Sequence, residues 1–164
     1  MAPRQPSGWE LEKLRALLAA QFDEAVANAF LSLPLQVETR RGKIRYVYVD
    51  GRRIMTLRPS DFHFTLSLEA GEVVRSASRP PRYRVVAARI PRPSVMGLDV
   101  IDADPDIRPG DEVLIVTAED RLIGVGKARL PGHLMRLLPH QEAVRAREVA
   151  GGAKAEGGAG PEGP

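Results

Sequence analysis

Residues 102–135, DADPDIRPGDEVLIVTAEDRLIGVGKARLPGHLM, read as two short strands set between clusters of turn-forming residues. DEVLIV (111–116) and LIGVGKARL (122–130) are rich in apolar and β-branched side chains, which suit a pleated, half-buried surface. ADPDIRPGD (103–111) and AEDR (118–121) flank them, with Asp, Pro and Gly supplying the side-chain hydrogen bonds and backbone angles of tight turns. PGHLMRLL (131–138) follows as one short helix, then AVRAREV (143–149) as a last strand, while upstream YRVVAARI (83–90) and LDVI (98–101) complete a mostly β module.

Further upstream the period changes. Trp9, Leu11, Leu14, Leu17, Leu18, Phe22, Val26 and Phe30 recur mostly three and four residues apart, which predicts an amphipathic helix over 9–31 with Ser7 as its cap and Pro34 just beyond its end. Strands are predicted over 35–39 and 43–49, and Asp50-Gly51 is a type I′ hairpin signal leading into RRIMTL, 52–57. In the next run Phe62, Phe64, Leu66 and Leu68 alternate with His63, Thr65, Ser67 and Glu69, which predicts a strand with one core face. Residues 76–81 are aperiodic and end in a Pro pair that neither a helix nor a central strand tolerates. The expected organisation is therefore a flexible lead over 1–8, an α+β module over 9–80, a β module over 81–149 and a disordered tail over 150–164, whose AGGAKAEGGAGPEGP offers no side chain to anchor a core. Modules this small are near the lower limit for independent folding, so they are expected to pack together.

Several function classes are excluded by composition. Cysteine is absent, which removes disulfides, thiolate zinc sites and a cysteine nucleophile together. No apolar run approaches the roughly 18 residues that span a bilayer, and MAPRQPSG has no signal-peptide core, so a cytoplasmic protein without membrane contact is expected. Asp102, Asp104 and Asp106 alternate like a calcium loop, but Ile107 and Val113 stand where the loop needs its Gly and its bidentate Glu, leaving a solvated turn as the reading. His63, His133 and His140 lack metal-site spacing, and neither GxSxG nor a Walker-type loop occurs; GVGKAR lies within a strand pattern. No metal, no cofactor and no catalytic constellation is expected.

Basic residues cluster over 40–58, 75–92 and 127–147, within a net charge of only +3. They read either as solvated strand faces or as a nucleic-acid surface. Favouring the second, Arg89 and Arg92 bracket a Pro-rich corner, while Lys127 with Arg129, and Arg145 with Arg147, are spaced two apart and so share strand faces.

The 102–135 segment resembles a PUA domain, on Pro105, Gly110, Asp111, Glu112, Val113, Gly124, Gly126, Ala128 and Met135. More narrowly it is similar to the PUA domain that ends archaeal tRNA-guanine transglycosylases and related archaeosine-pathway proteins. Residues 14–31 and 37–71, with LRPSD (57–61) the most specific piece, are similar to the module preceding PUA there, so the resemblance covers about residues 11–148. Pro91-Arg92-Pro93, Asp23, Phe62 and Gln141-Glu142 depart from glycines usual in the pattern.

The resemblance implies an N-terminal helix packed on a small, mostly antiparallel sheet, followed by a PUA-type β pseudo-barrel. It also implies a grip on the tRNA acceptor stem and 3′ end, with Ser94, Val95, Met96 and Gly97 in the contact corner and Lys127, Arg129 and Arg145 on nearby strands. The catalytic barrel of those enzymes has no counterpart here. The expected function is thus RNA binding, as a tRNA-binding accessory or split subunit for archaeosine-type modification that works with a tRNA-modifying catalytic subunit. The alternative is a protein-interaction module that keeps the PUA fold without RNA binding.

Overall fold

The computed structural model describes residues 2–151, which divide into two compact units, the first ending at Ser78 and the second beginning at Arg79. In the first unit, two helices replace the single one expected over 9–31: α1 (Gly8–Gln21) and α2 (Glu24–Leu31). The break is chemical. Asp23 adopts extended backbone and its carboxylate accepts the Val26 N–H at 2.8 Å, capping a new helix where the apolar period runs on. Ser7 caps α1 reciprocally, its hydroxyl accepting from Glu10 N at 3.1 Å while the Glu10 carboxylate accepts from Ser7 N at 2.9 Å. The lead before it is docked instead of loose: Arg4 exchanges backbone hydrogen bonds of 2.9 and 2.7 Å with Val37.

Strands β1 (Leu35–Arg40), β2 (Lys43–Val49), β3 (Arg52–Leu57) and β4 (Phe64–Leu66) form an antiparallel sheet in chain order. Asp50 (φ 52°) and Gly51 (φ 78°) make the β2–β3 turn with both central residues left-handed, as a type I′ turn requires. The strand expected from Phe62 to Leu68 contracts to β4. Phe62 sits at φ 59° and is exposed, and Ser67 accepts the Ala70 N–H to cap a third helix, α3 (Leu68–Ser76), which the alternation concealed. Gln21 completes the sheet edge, donating to Phe64 O at 2.9 Å and accepting from Phe64 N at 2.6 Å, so a helix-end side chain substitutes for a neighbouring strand. Leu14, Leu18, Val26 and Phe30 from the helices and Val37, Phe64, Leu66 and Val74 are all buried in this unit.

In the second unit, β5 (Arg84–Ala87), β6 (Ser94–Met96), β7 (Val100–Ala103), β8 (Glu112–Val116), β9 (Leu122–Ala128) and β10 (Glu142–Val149) curl into a half-barrel of order β6-β10-β9-β8-β5-β7. All pairs are antiparallel except β5 with β8. Every residue of β8 is buried, which accounts for its unbroken apolar run EVLIV after the leading Glu. The short helix of PGHLMRLL is a 3₁₀ segment, Gly132–Leu137, and its Met135 joins Val85, Val95, Val113, Ile115 and Val144 in the core. Strands over 83–90 and 98–101 are trimmed, the second by a 3₁₀ turn at Gly97–Asp99, and β6 arises where only a corner is expected.

The acidic turn is structural and less solvated than expected. Buried Asp104 accepts from Tyr83 N at 2.8 Å and from Asp106 N at 2.9 Å, and Asp111 accepts from Arg108 N at 2.8 Å. Arg84, counted in the basic clusters, is buried, and its guanidinium meets Asp120 at 2.6 Å, so it contributes nothing to a surface. Ala150, placed in the expected tail, hydrogen-bonds Ile123 O and packs against the core; the remaining tail, 152–164, lies outside the described residues. Among the described residues, no helix is long and apolar enough to cross a membrane.

Candidate nucleic-acid interface

Register builds this site. Ser94 on β6 faces Arg145 on β10, Arg145 faces Lys127 on β9, and Lys127 faces Glu112 on β8. Directly opposed residues on an antiparallel ladder project to the same face. Three neighbouring strands thus carry one row, Ser94–Arg145–Lys127, across the outer surface of the half-barrel, and the ladder continues to Glu112, whose side chain is buried. Lys127 and Arg129 are both exposed on either side of buried Ala128, so they share that face. The β6 corner, which sequence alone leaves unplaced relative to the later strands, lies directly beside β10.

A hollow of about 290 Å³ adjoins the row, lined by Arg89, Ile90, Pro91, Arg92, Ser94, Val95 and Asp99. It gathers Arg89, Arg92, Ser94 and Val95 from the predicted set. Val95 and Gly97 are different: Val95 is 2% exposed and Gly97 is buried, its missing Cβ occupied by the carbonyl oxygens of Leu138 and Met135. These two hold the corner in shape and have no side chain to offer a ligand. Met96 is half-buried.

Acids interleave with the cations, and the structure shows which acid meets which cation. Glu142 accepts from Ser94 Oγ, lies 3.0 Å from Arg145 Nε and 3.8 Å from Arg129 Nε. Asp99 lies 3.2 Å from Arg89 Nε. Arg147 occupies the bulge between Ala146 and Glu148 and grips Glu112 with both terminal nitrogens, one at 3.0 Å, the Glu112 side chain being fully buried. The Gln141-Glu142 departure from glycine was the available signal for Glu142; its partners depend on the β6–β10 register, which no local pattern encodes.

The C2 patch-forming domain of tRNA-guanine transglycosylase matches residues 12–81, and the PUA domain matches residues 87–150. Residues 87–150 thus carry a PUA domain. Among curated relatives, the tRNA-guanine(15) transglycosylase of Pyrococcus abyssi is 33% identical over 144 residues, covering 84% of this chain and 24% of that enzyme. The enzyme of the same name from Methanobrevibacter smithii is 35% identical over 129 residues, covering 74% of this chain and 20% of the relative. This PUA-domain chain therefore spans a quarter or less of those relatives, matching their C-terminal part. Among solved structures, a hypothetical protein of Pyrococcus horikoshii superposes with a TM-score of 0.70 at 22% identity, covering 96% of this chain and 99% of that one. A conserved PUA-domain protein of Thermoplasma acidophilum gives 0.65 at 15% identity, covering 92% and 95%. At these identities the likeness is one of fold.

Proposed function

We propose that this PUA-domain protein binds tRNA in the cytoplasm, as an accessory or split subunit for archaeosine-type modification, with a separate tRNA-modifying catalytic subunit as its partner. The observation that carries the reading is the row Ser94–Arg145–Lys127 beside the Arg89–Arg92 hollow, on the outer face of a PUA half-barrel. A rigid curved sheet with cations on one face suits a nucleic acid recognised by shape and phosphate position. The contact set is Arg89, Arg92, Ser94, Met96, Lys127, Arg129, Arg145 and Arg147, with Val95 and Gly97 shaping the corner; the chain contributes binding, and the chemistry belongs to the partner. Resemblance to enzymes named for tRNA supports tRNA as the substrate.

Electrophoretic mobility shift against a tRNA transcript, duplex DNA and an unstructured RNA tests this directly. Preferential binding to tRNA is expected; equal binding to all three, or none, sinks it. One observation favours a protein-interaction module instead: Glu142 and Asp99 partly neutralise the face. Affinity capture giving protein complexes that survive RNase, with no tRNA recovered, would establish that alternative.

A further inference from the structure

The first unit carries a basic hollow of its own. About 470 Å³ in volume, it is lined by Lys13 from α1, by Arg40, Arg41, Lys43, Ile44 and Arg45 from the β1–β2 hairpin, and by Leu57, Pro59 and Phe62 after it. Five of its nine lining residues are cationic and none is acidic. Such a concentration of like charge raises the folding free energy unless an anion offsets it. Arg40 shares an ion pair of 3.1 Å with Glu38, just outside the lining.

Two details single this hollow out from a solvated charged face. Arg45 is the extra residue where the β1–β2 register shifts, opposite the step from Glu38 to Thr39, so the ladder bulges at that position. Its Nε is buried without a hydrogen-bond partner, a donor left unsatisfied at a real free-energy cost. The other detail is Phe62, held at φ 59° yet 54% exposed. A bulky residue in the left-handed region is strained, and at this exposure packing returns little. An unsatisfied cation donor and an exposed, strained aromatic ring thus share one concavity. Lys13, which lines the hollow, places its ammonium 5.5 Å from the ring centroid of the largely exposed Trp9.

We infer that this hollow is a second RNA subsite, taking a phosphate of an unpaired segment among Arg41, Lys43 and Arg45 and stacking the neighbouring base on Phe62. An acidic peptide would satisfy the cations but leave the aromatic wall idle. A single-stranded nucleotide uses both, because base stacking on aromatic rings and phosphate pairing with Arg act together. A duplex supplies phosphates but keeps its bases stacked on each other. The inference rests on the reading of the chain as RNA-binding, and adds a preference for unpaired RNA in the first unit.

The test uses the full chain, with Arg41→Gln/Lys43→Gln and Phe62→Asn, Asn being tolerant of positive φ. Arg108→Gln/Arg121→Gln removes the same charge elsewhere on the surface. Probes are a tRNA transcript, an eight-nucleotide single strand and a duplex of equal length, with thermal melting used to verify folding. For the single strand, Phe62→Asn is expected to weaken binding by about 5- to 150-fold, the span of one base stack. The charge pair is expected to flatten the log–log salt slope by about 1.4, at about 0.7 per single-strand contact. Duplex binding should be unchanged by Phe62→Asn. Unaltered single-strand binding in both hollow variants, an equal loss in the Arg108/Arg121 control, or equal competition by a poly-glutamate peptide overturns the subsite while leaving tRNA binding intact. A wild-type chain that fails to bind tRNA overturns both.

Discussion

Gly97 separates shaping from touching at the level of one residue. Carbonyl oxygens of Leu138 and Met135 fill the place of its Cβ, and both are backbone atoms that no side-chain rotation can clear. Gly97→Ala should therefore cost about 1–3 kcal/mol, the usual range for overpacking, read as a lower melting temperature, with RNA affinity measured well below that temperature nearly unchanged. A variant of wild-type stability that loses RNA would make Gly97 a contact after all. Arg147 differs in kind, because its guanidinium compensates the fully buried Glu112 carboxylate. Removing one partner of such a pair strands a buried charge. Arg147→Ala should lower stability by about 3 kcal/mol, near the low end for buried pairs because Arg147 itself is 32% exposed. Retention of full stability in denaturant melts would show the pair to be dispensable. That Lys127 and Arg129 share an exposed face was legible from strand alternation, whereas their place beside the corner rested on the PUA resemblance, and Glu142 and Glu112 were not recognisable as partners, since pairing across strands depends on register.

Elements were legible where chemistry and period agree. Ser7 as a cap, and Asp50 with Gly51 as a turn, state their structures locally, and both form; the Glu10 half of the capping box is added by the structure. The reading failed where a cap interrupts a continuing pattern: Asp23 restarts a helix within one apolar period, and Ser67 turns an alternating strand into α3. In each case one side-chain oxygen accepting a backbone N–H outweighs the periodicity around it. The N-terminal lead departs from expectation for another reason, since Arg4 pairs with Val37 of β1, a contact no local pattern encodes. Arg4 donates to both Glu10 oxygens at 2.8 Å, and that bond, with the Ser7 N–H, lowers the Glu10 pKa from its ordinary value near 4.5 to about 2. A carboxyl depressed on folding stabilises the protein above its unfolded pKa, and this contribution disappears as pH falls toward the folded value. Unfolding free energy of the wild type should accordingly drop between pH 4.5 and about 2 by more than that of Glu10→Gln. Parallel pH profiles would show that the Arg4–Glu10 bond does not form in solution.

At the scale of the molecule, a net charge of +3 leaves little general attraction for a polyanion, so binding depends on where the charges lie. On the half-barrel face, Lys127 and Arg129 project together, and Glu142 stands against Arg129 and Arg145 as an internal counterion. An RNA phosphate approaching that face competes with Glu142 for the same guanidinium groups. Two opposite responses follow. Lys127→Ala/Arg129→Ala should weaken binding for all RNA sequences about equally, and flatten the salt dependence by roughly 0.7 to 0.9 log units per contact removed. Glu142→Gln should tighten binding, because it removes the competing charge while its amide can still accept from Ser94 Oγ. Arg52 and Arg58 serve as controls, since they are already paired with Glu69 and Asp61 and lie in the other unit. Titrations of a tRNA transcript between 50 and about 200 mM salt, a range over which phosphate contacts change affinity by orders of magnitude, resolve the sign of each effect. If Glu142→Gln weakens binding, the carboxylate is itself an RNA contact or the scaffold of one. If the Arg52 and Arg58 variants abolish binding while the Lys127/Arg129 variant binds normally, the principal RNA surface belongs to the first unit.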